Sequence, residues 1–217
     1  MKQKRYDCAL FEGVDETEYE RLIAFLKPRE ETFRRGSVAY RYITEEKVVA
    51  ILLEGVGRVV NIDDTGNEIL LERLVKGSIF GNSVSYGEIG EDTVYVVADT
   101  DCKILFIKFS TFFAECDGDC VFRHKLLLNI IDVMRKKTAA IGERTEIMGN
   151  RTTRDKLICY FRHLCAKSGG NVARLEMNLT SLSEYICADR SAMMREIKKL
   201  KDEGSVSIDG KTVTLYI

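Results

Sequence analysis

Near the C-terminal end, five side chains recur at helical spacing: Arg190, Ser191, Met194, Arg195 and Lys198. They fall at i, i+1, i+4, i+5 and i+8, on one face of a helix. Met193, Ile197 and Leu200 make the opposite, apolar face. A guanidinium carries a planar fork of donors that fits the O6 and N7 acceptors of guanine in a major groove. Two arginines near the N-terminal end of an exposed helix suit that readout. Lys211, beside Asp209-Gly210, stands where a hairpin tip would meet a phosphate. A basic helix face alone is ordinarily just a solvated one, so the surrounding elements decide its meaning.

Those elements are legible. Thr153–Lys167 reads as a helix with Leu157, Ile158, Phe161 and Leu164 on one side, broken by Ser168-Gly169-Gly170-Asn171. Asn178 or Thr180 caps a short helix carrying Leu182 and Ile186. Cys187-Ala188-Asp189 is a tight turn. Asp189 caps the next helix, Arg190 to Glu203, which Gly204 ends. The tail alternates around Asp209-Gly210, a strong hairpin signal. Two helices joined by a short turn and followed by a hairpin form a winged helix-turn-helix pattern.

The rest of the chain differs in kind. Its 217 residues suffice for one large domain or two small ones. They are 45% hydrophobic and 31% charged, which excludes a disordered chain. The apolar runs are too short for a transmembrane helix, and Met1–Gly13 has no secretory h-region. Seven cysteines without such a signal predict reduced thiols and a cytoplasmic location. The overall charge is −1, yet Met148–Ile217 holds 12 basic and 8 acidic residues, so the part before it carries −5. The basic half is the one suited to phosphate.

From about Thr32 to Ser110, short β-rich runs alternate with Gly and Asp/Gly/Asn clusters: Ser37–Ile43, Val48–Leu53, Arg58–Ile62, Ile69–Leu74, Val94–Ala98 and Lys103–Lys108. That spacing predicts an antiparallel barrel or sandwich, with a hairpin loop at Asp64-Thr65-Gly66-Asn67. Residues 1 to about 30 read as helical. Cys120–Met148 reads as a helix of roughly 25 residues. Leu127, Ile130, Met134, Ile141 and Met148 fall at or near heptad spacing on it. An apolar seam needs a partner, and a second copy of the chain is favoured over the chain's own barrel. The fold class expected is α+β, divided as a β-roll at 1–119, a dimerisation helix at 120–148 and a winged helix-turn-helix at 149–217. Leu127, Ile130, Met134 and Ile141 are the expected dimer contacts.

The segment Leu179–Ile217 resembles the C-terminal DNA-binding domain of the Crp/Fnr family of bacterial transcription regulators. The core of the likeness is Asp189-Arg190-Ser191-Ala192-Met193-Met194-Arg195-Glu196, followed by Lys201-Asp202-Glu203-Gly204. It extends upstream. Gly36, Gly55, Gly57, Gly66, Gly77 and Phe80-Gly81 match turns of the family's cyclic-nucleotide-binding-like β-roll, and Cys120–Met148 matches its dimerisation helix. The resemblance implies a dimer on a pseudo-palindromic double-stranded DNA site, with RNA polymerase as a further partner and no membrane. It implies DNA contacts from Arg190, Ser191, Met194, Arg195, Lys198, Thr180 and Lys211. Ser191 stands where the family often has glutamate, so the half-site read should differ.

The same resemblance implies an effector pocket at Gly81, Asn82, Ser83, Asp92, Thr93, Ala140 and Ile141. Here the chain departs from cyclic-nucleotide binders. Asn82 replaces the ribose-binding glutamate, and Asp92 replaces the arginine that pairs with the cyclic phosphate. An aspartate there repels the ligand. An unknown small-molecule effector other than cyclic AMP, with an apolar body, is therefore expected. No cofactor and no metal is assigned. An iron–sulfur sensor would need an N-terminal cysteine cluster, and only Cys8 is there. A haem sensor would need an axial histidine in or near the barrel, and His124 and His163 read as surface or packing residues. Cys116 and Cys120 offer a redox pair or half a metal site. Cys102, Cys159, Cys165 and Cys187 read as small buried hydrophobes. Enzyme motifs such as GxSxG and HExxH are absent, so no catalysis is expected. Two alternatives stay open: a ligand-sensing or scaffold module whose tail docks to protein, and a constitutive or thiol-redox-tuned regulator with a filled pocket.

Overall fold

The computed structural model describes residues 5–86, 93–114 and 121–216. The chain divides into two compact units, Met1–Lys137 and Thr138–Ile217. The division falls within the long helix rather than at either of its ends.

In the first unit, helix α1 (Glu16–Leu26) opens on a capping box. The Asp15 carboxylate accepts from the Glu18 N–H, and the Asp15 N–H donates to the Glu18 carboxylate. Only this short stretch and a 3-10 turn at Ala9–Phe11 are helical, because strand β1 (Arg29–Phe33) already follows. The expected strands then appear as β2 (Val38–Arg41), β3 (Val48–Glu54), β4 (Gly57–Ile62) and β5 (Glu68–Leu74). A two-residue β6 (Ile79–Phe80) precedes β7 (Val94–Ala98) and β8 (Cys102–Lys108). They form two four-stranded antiparallel sheets, β1-β8-β3-β6 and β2-β7-β4-β5. The β4–β5 hairpin turns where expected. Asp63 accepts from the Thr65 hydroxyl, the Asn67 backbone and side-chain N–H groups and the Thr65 backbone N–H, and these hydrogen bonds hold its carboxyl down at about 2.

Strand β3 shows why its sequence, Val-Val-Ala-Ile-Leu-Leu, is almost uninterruptedly apolar. Val48, Ala50 and Leu52 face the interior between the sheets, and Val49 and Ile51 face a second core. That second core contains Leu22, Ile23 and Leu26 of α1 and the start of α2 (Val121–Gly149). Phe122, Leu126, Ile130 and Val133 of α2 are buried in it. Burial contributes about 1.5–3 kcal/mol for each such side chain.

The second unit holds the last turns of α2, then α3 (Thr153–Ser168), β9 (Val172–Arg174), α4 (Leu179–Tyr185), α5 (Arg190–Asp202), β10 (Val206–Asp209) and β11 (Thr212–Leu215). Its three strands are ordered β10-β11-β9, all antiparallel. Leu157, Phe161, Leu182, Ile186, Met193, Ile197 and Leu200 share its core with Ile147 of α2. No described helix is long and apolar enough to cross a membrane.

Gly81 is one of the tight points of the β-roll. Its φ is +119°, and a Cβ there would lie 2.5 Å from the Val48 carbonyl oxygen. Gly81→Ala is expected to lower unfolding stability by about 2–3 kcal/mol. Urea denaturation measures this, and a loss below about 0.5 kcal/mol would contradict the placement of the turn.

Candidate functional site

The helix-turn-helix forms through local capping. Asn178, not Thr180, caps α4, with its side-chain oxygen accepting from the Ser181 N–H at 2.8 Å. Asp189 caps α5, accepting from the Ala192 N–H at 2.8 Å. Between them Cys187 adopts a φ of 48° and is exposed, against the expectation that it is buried. Its side chain sits outside the core because the turn points it to solvent. Helix α5 ends with Gly204 at a φ of 72° and a Ser205 N–H donating to the Leu200 carbonyl.

This frame settles which way α5 faces. Met193, Ile197 and Leu200 are buried. Arg190, Ser191, Met194, Arg195 and Lys198 are exposed, and so is Thr180. Lys211 is exposed in the two-residue tip of the β10–β11 hairpin, between the paired residues Asp209 and Thr212. Among the described residues, Arg190, Arg195, Lys198 and Lys211 make no ion pair or side-chain hydrogen bond. Neighbouring cations are engaged: Arg154 pairs with Glu203 at 2.5 Å and Lys199 with Glu196 at 2.7 Å. Four cations left over on one side of a helix and the adjacent hairpin tip make a surface suited to a polyanion.

The sensory side differs more from expectation. Asp92, Cys116 and Cys120 lie outside the described residues. Asn82 spends its amide on backbone. Its oxygen accepts from the Val48 N–H at 2.9 Å and its nitrogen donates to the Glu46 carbonyl at 3.4 Å. It therefore ties down the segment before β3 rather than presenting a free group to a ligand. Ala140 and Ile141 are exposed on α2. Lys137 of α2 does reach a strand of the β-roll, pairing with Glu72 of β5 at 2.6 Å, and is only 14% exposed.

The turn Gly81–Tyr86 encloses hydroxyls. Tyr42, Ser83 and Ser85 each bury an oxygen with no hydrogen-bond partner among the described residues. The Ser85 hydroxyl and the Gly81 N–H lie nearest the Tyr42 oxygen, and Glu72 acts on it electrostatically. Burial pushes the Tyr42 phenol far above its ordinary value, so it stays protonated. Aromatic rings crowd the interior: Tyr40 and Tyr42 have centroids 5.3 Å apart, and Tyr42 and Tyr86 5.8 Å. A cleft of about 490 Å³ opens instead beside β2, lined by residues including Arg29, Tyr40, Arg41, Thr44 and Phe106. Thr93 lines a smaller one of about 360 Å³ with Arg41, Asp63 and Asp64. Among the described residues, none of the other expected pocket positions lines either cleft.

The dimer seam also needs one correction. Ile130 is only 4% exposed, because it packs inside the chain's own first core. Its neighbour Ile131 is 60% exposed. Leu127, Ile131, Met134, Thr138, Ile141 and Thr145 then follow a 4-3-4-3-4 spacing, an a/d heptad stripe turned away from the buried one. Leu127 is half-buried at the edge of the first core, while Met134 and Ile141 are 39% and 43% exposed.

Residues 30–119 match the family model described as a cyclic nucleotide-binding domain. The chain is 20% identical over 168 residues to the cAMP-activated global transcriptional regulator Vfr of Pseudomonas aeruginosa, spanning 76% of this chain and 78% of that protein. Among solved structures it is similar to CprK complexed with OCPA, with a TM-score of 0.69 and 17% identity over 91% of this chain and 92% of that one. It is likewise similar to a mutant CooA from Carboxydothermus hydrogenoformans, with a TM-score of 0.71 and 17% identity over 100% of this chain and 94% of that one.

Proposed function

We propose that the chain is a member of the Crp/Fnr family, a cyclic-nucleotide-binding-like β-roll followed by a winged helix-turn-helix, and that it is a dimeric, cytoplasmic, sequence-specific DNA-binding transcription regulator. The observation that carries this reading is the exposed cationic face of α5, with Arg190, Arg195 and Lys198 unpaired among the described residues, together with Lys211 on the hairpin tip. Arg190 and Arg195 lie near the capped N-terminal end of α5, where a helix inserted in a major groove meets base edges. Lys211 on the hairpin tip supplies a backbone contact, and Thr180 at the start of α4 supplies another. Met194 offers an apolar contact of the kind a thymine methyl accepts. The role is binding, not catalysis, and RNA polymerase is the further partner in this reading.

Dimerisation places two such faces about 34 Å apart, one turn of DNA. The heptad stripe through Ile131, Met134 and Ile141 supports it, since exposed apolar side chains at that spacing suit a parallel helix pair.

The effector differs from cyclic AMP in this reading. Asn82 is engaged by backbone, and tyrosines crowd the space next to the Gly81–Tyr86 turn. The sequence also places a negative charge at Asp92, the position matched to the phosphate-pairing arginine. A compact, partly apolar acid fits better. Its body would meet Tyr42 and Tyr86, and its carboxylate would compete with Glu72 for Lys137. An effector acts by favouring one arrangement of two that pre-exist, and needs only differential affinity for them.

Three measurements follow. Arg195→Ala removes a bidentate guanine contact and should cost about 1–3 kcal/mol at one base pair, whereas Lys211→Ala should weaken all sequences alike and lower the salt slope by about 1. Selected operators in a gel shift read both, and unchanged specific binding by Arg195→Ala would defeat the docking. The double variant Ile131→Glu, Ile141→Glu should sediment as a monomer, because it buries like charges across the seam. A wild-type monomer at micromolar concentration would refute the dimer. Calorimetric titration with cyclic AMP and cyclic GMP should show no binding tighter than about 1 mM, some 4 kcal/mol. A micromolar response would restore a cyclic nucleotide as effector.

A further inference from the structure

Away from the β-roll and from the α5 face, three side chains of different chemistry converge. The Glu146 carboxylate comes from the last turns of α2, and the Cys159 thiol and His163 imidazole come from α3. One ligand atom from each lies within 4.8 Å of both others. Cys159 and His163 are one helical turn apart, so the fold of α3 alone aims both at the same side. The third member depends on how the end of α2 packs. Ile147, 1% exposed, anchors it in the core of the second unit. Glu143 pairs with Lys167 at 2.6 Å, and the Arg144 guanidinium lies 5.0 Å from the Tyr185 ring centroid. Glu146 is thus held by its neighbours on both sides.

The detailed geometry is not that of an ordinary ion pair. His163 Nε2 lies 3.0 Å from a Glu146 oxygen, yet this buried nitrogen forms no hydrogen bond among the described residues. The two atoms are close but do not aim at each other. Ligand atoms 2.0–2.3 Å from a tetrahedral ion stand about 3.3–3.8 Å apart, so small side-chain rotations bring these three to that spacing. Nearby, Asn150 donates its side-chain N–H to the Glu146 carbonyl at 2.9 Å, which fixes the backbone that carries the carboxylate.

We propose that Glu146, Cys159 and His163 form a site for a divalent transition metal of the zinc class, with an open fourth position. The ligand set is a soft sulfur, an imidazole nitrogen and a carboxylate oxygen, which zinc accepts at tetrahedral sites. Neutral His163 coordinates through Nε2 and keeps its proton on Nδ1. The Cys159 thiol gives up its proton to solvent on binding. The thiolate and the carboxylate together carry two negative charges, which the dication balances. The bound ion cross-links the last turns of α2 to α3, the helix that shares its core with the helix-turn-helix pair α4 and α5. Occupancy therefore stiffens the base on which α4 and α5 are packed.

The test uses the full chain, reduced and stripped with a chelator, and the chloride salts of zinc and cobalt. Zinc titrated against a chromophoric chelator should bind at one ion per chain. Cys159→Ser and His163→Ala should each weaken that site about 100-fold, the share of one ligand in a zinc site. Cobalt should give a near-ultraviolet thiolate-to-metal band in the wild type that Cys159→Ser abolishes. X-ray absorption of the wild-type zinc protein should show one sulfur among nitrogen and oxygen ligands, and this readout stands even if a variant fails to fold. A band that survives Cys159→Ser, a wild type that shows no band, or a zinc shell with no sulfur or several would each overturn the assignment. DNA affinity plays no part in these readouts, so they stand or fall apart from the regulatory reading.

Discussion

Helix α2 carries two apolar stripes, and a helix can bury only what its neighbours cover. Phe122, Leu126, Ile130 and Val133 are covered by the β-roll of the same chain. That packing fixes the rotation of the helix about its own axis. Once the rotation is fixed, Ile131 and Ile141 have to point elsewhere, and Lys137 has to point at β5, where Glu72 receives it. From Thr138 to Glu146 no residue of α2 is buried, until Ile147 enters the core of the second unit. The identity of the inner stripe thus decides the available seam, the charged contact to the β-roll and the presentation of Glu146.

The β-roll follows the same logic of limited space. Its interior is filled from both sheets by Val59, Val94 and Val96 against Ala50, Leu52 and Ile104, and tyrosines close it near Gly81. Small side chains at Ala39, Ala50 and Ala98 make room for those rings. Beside the Gly81–Tyr86 turn, the Tyr42, Ser83 and Ser85 hydroxyls are buried without a well-formed hydrogen bond among the described residues, and a buried polar group in that state loses about 1–3 kcal/mol of solvation. A ligand that satisfies even one of them gains from that deficit. The same economy of contacts explains why Asn82 is not available: its amide already closes two backbone groups that would otherwise be orphaned.

What could be read in the sequence was whatever is settled within a few residues. Asp189 caps α5 through an N–H three residues on, Gly204 ends it, and Asp63 organises its hairpin loop through Thr65 and Asn67. The faces of α5 follow from its own periodicity, so its exposed cations were visible in advance. Strand β1 was not, because Arg-Glu-Glu-Thr-Phe is an edge strand, mostly exposed and without an apolar alternation. Choosing between Ile130 and Ile131 needs knowledge of what α2 packs on, since one residue turns a helix by about 100°. The pairing of Lys137 is hidden for the same reason: its partner Glu72 lies 65 residues away. The convergence of Glu146 on Cys159 and His163 depends on the packing of two helices across a break at Asn150 and Arg151, which no local pattern encodes.

The order of strands in the second unit has a consequence for how the protein is made. Strand β11 is the central strand, with β10 on one side and β9 on the other, yet it comes after both in the chain. During synthesis, α4 and α5 leave the ribosome before the strand that completes the sheet beside them. Val213 and Leu215 of that strand belong to the same core as Met193, Ile197 and Leu200. A nascent chain therefore displays an amphipathic, cationic helix whose apolar side is incompletely covered, at a stage when domains otherwise fold as they emerge. The core and the sheet of the second unit are therefore complete only once β11 has taken its central place.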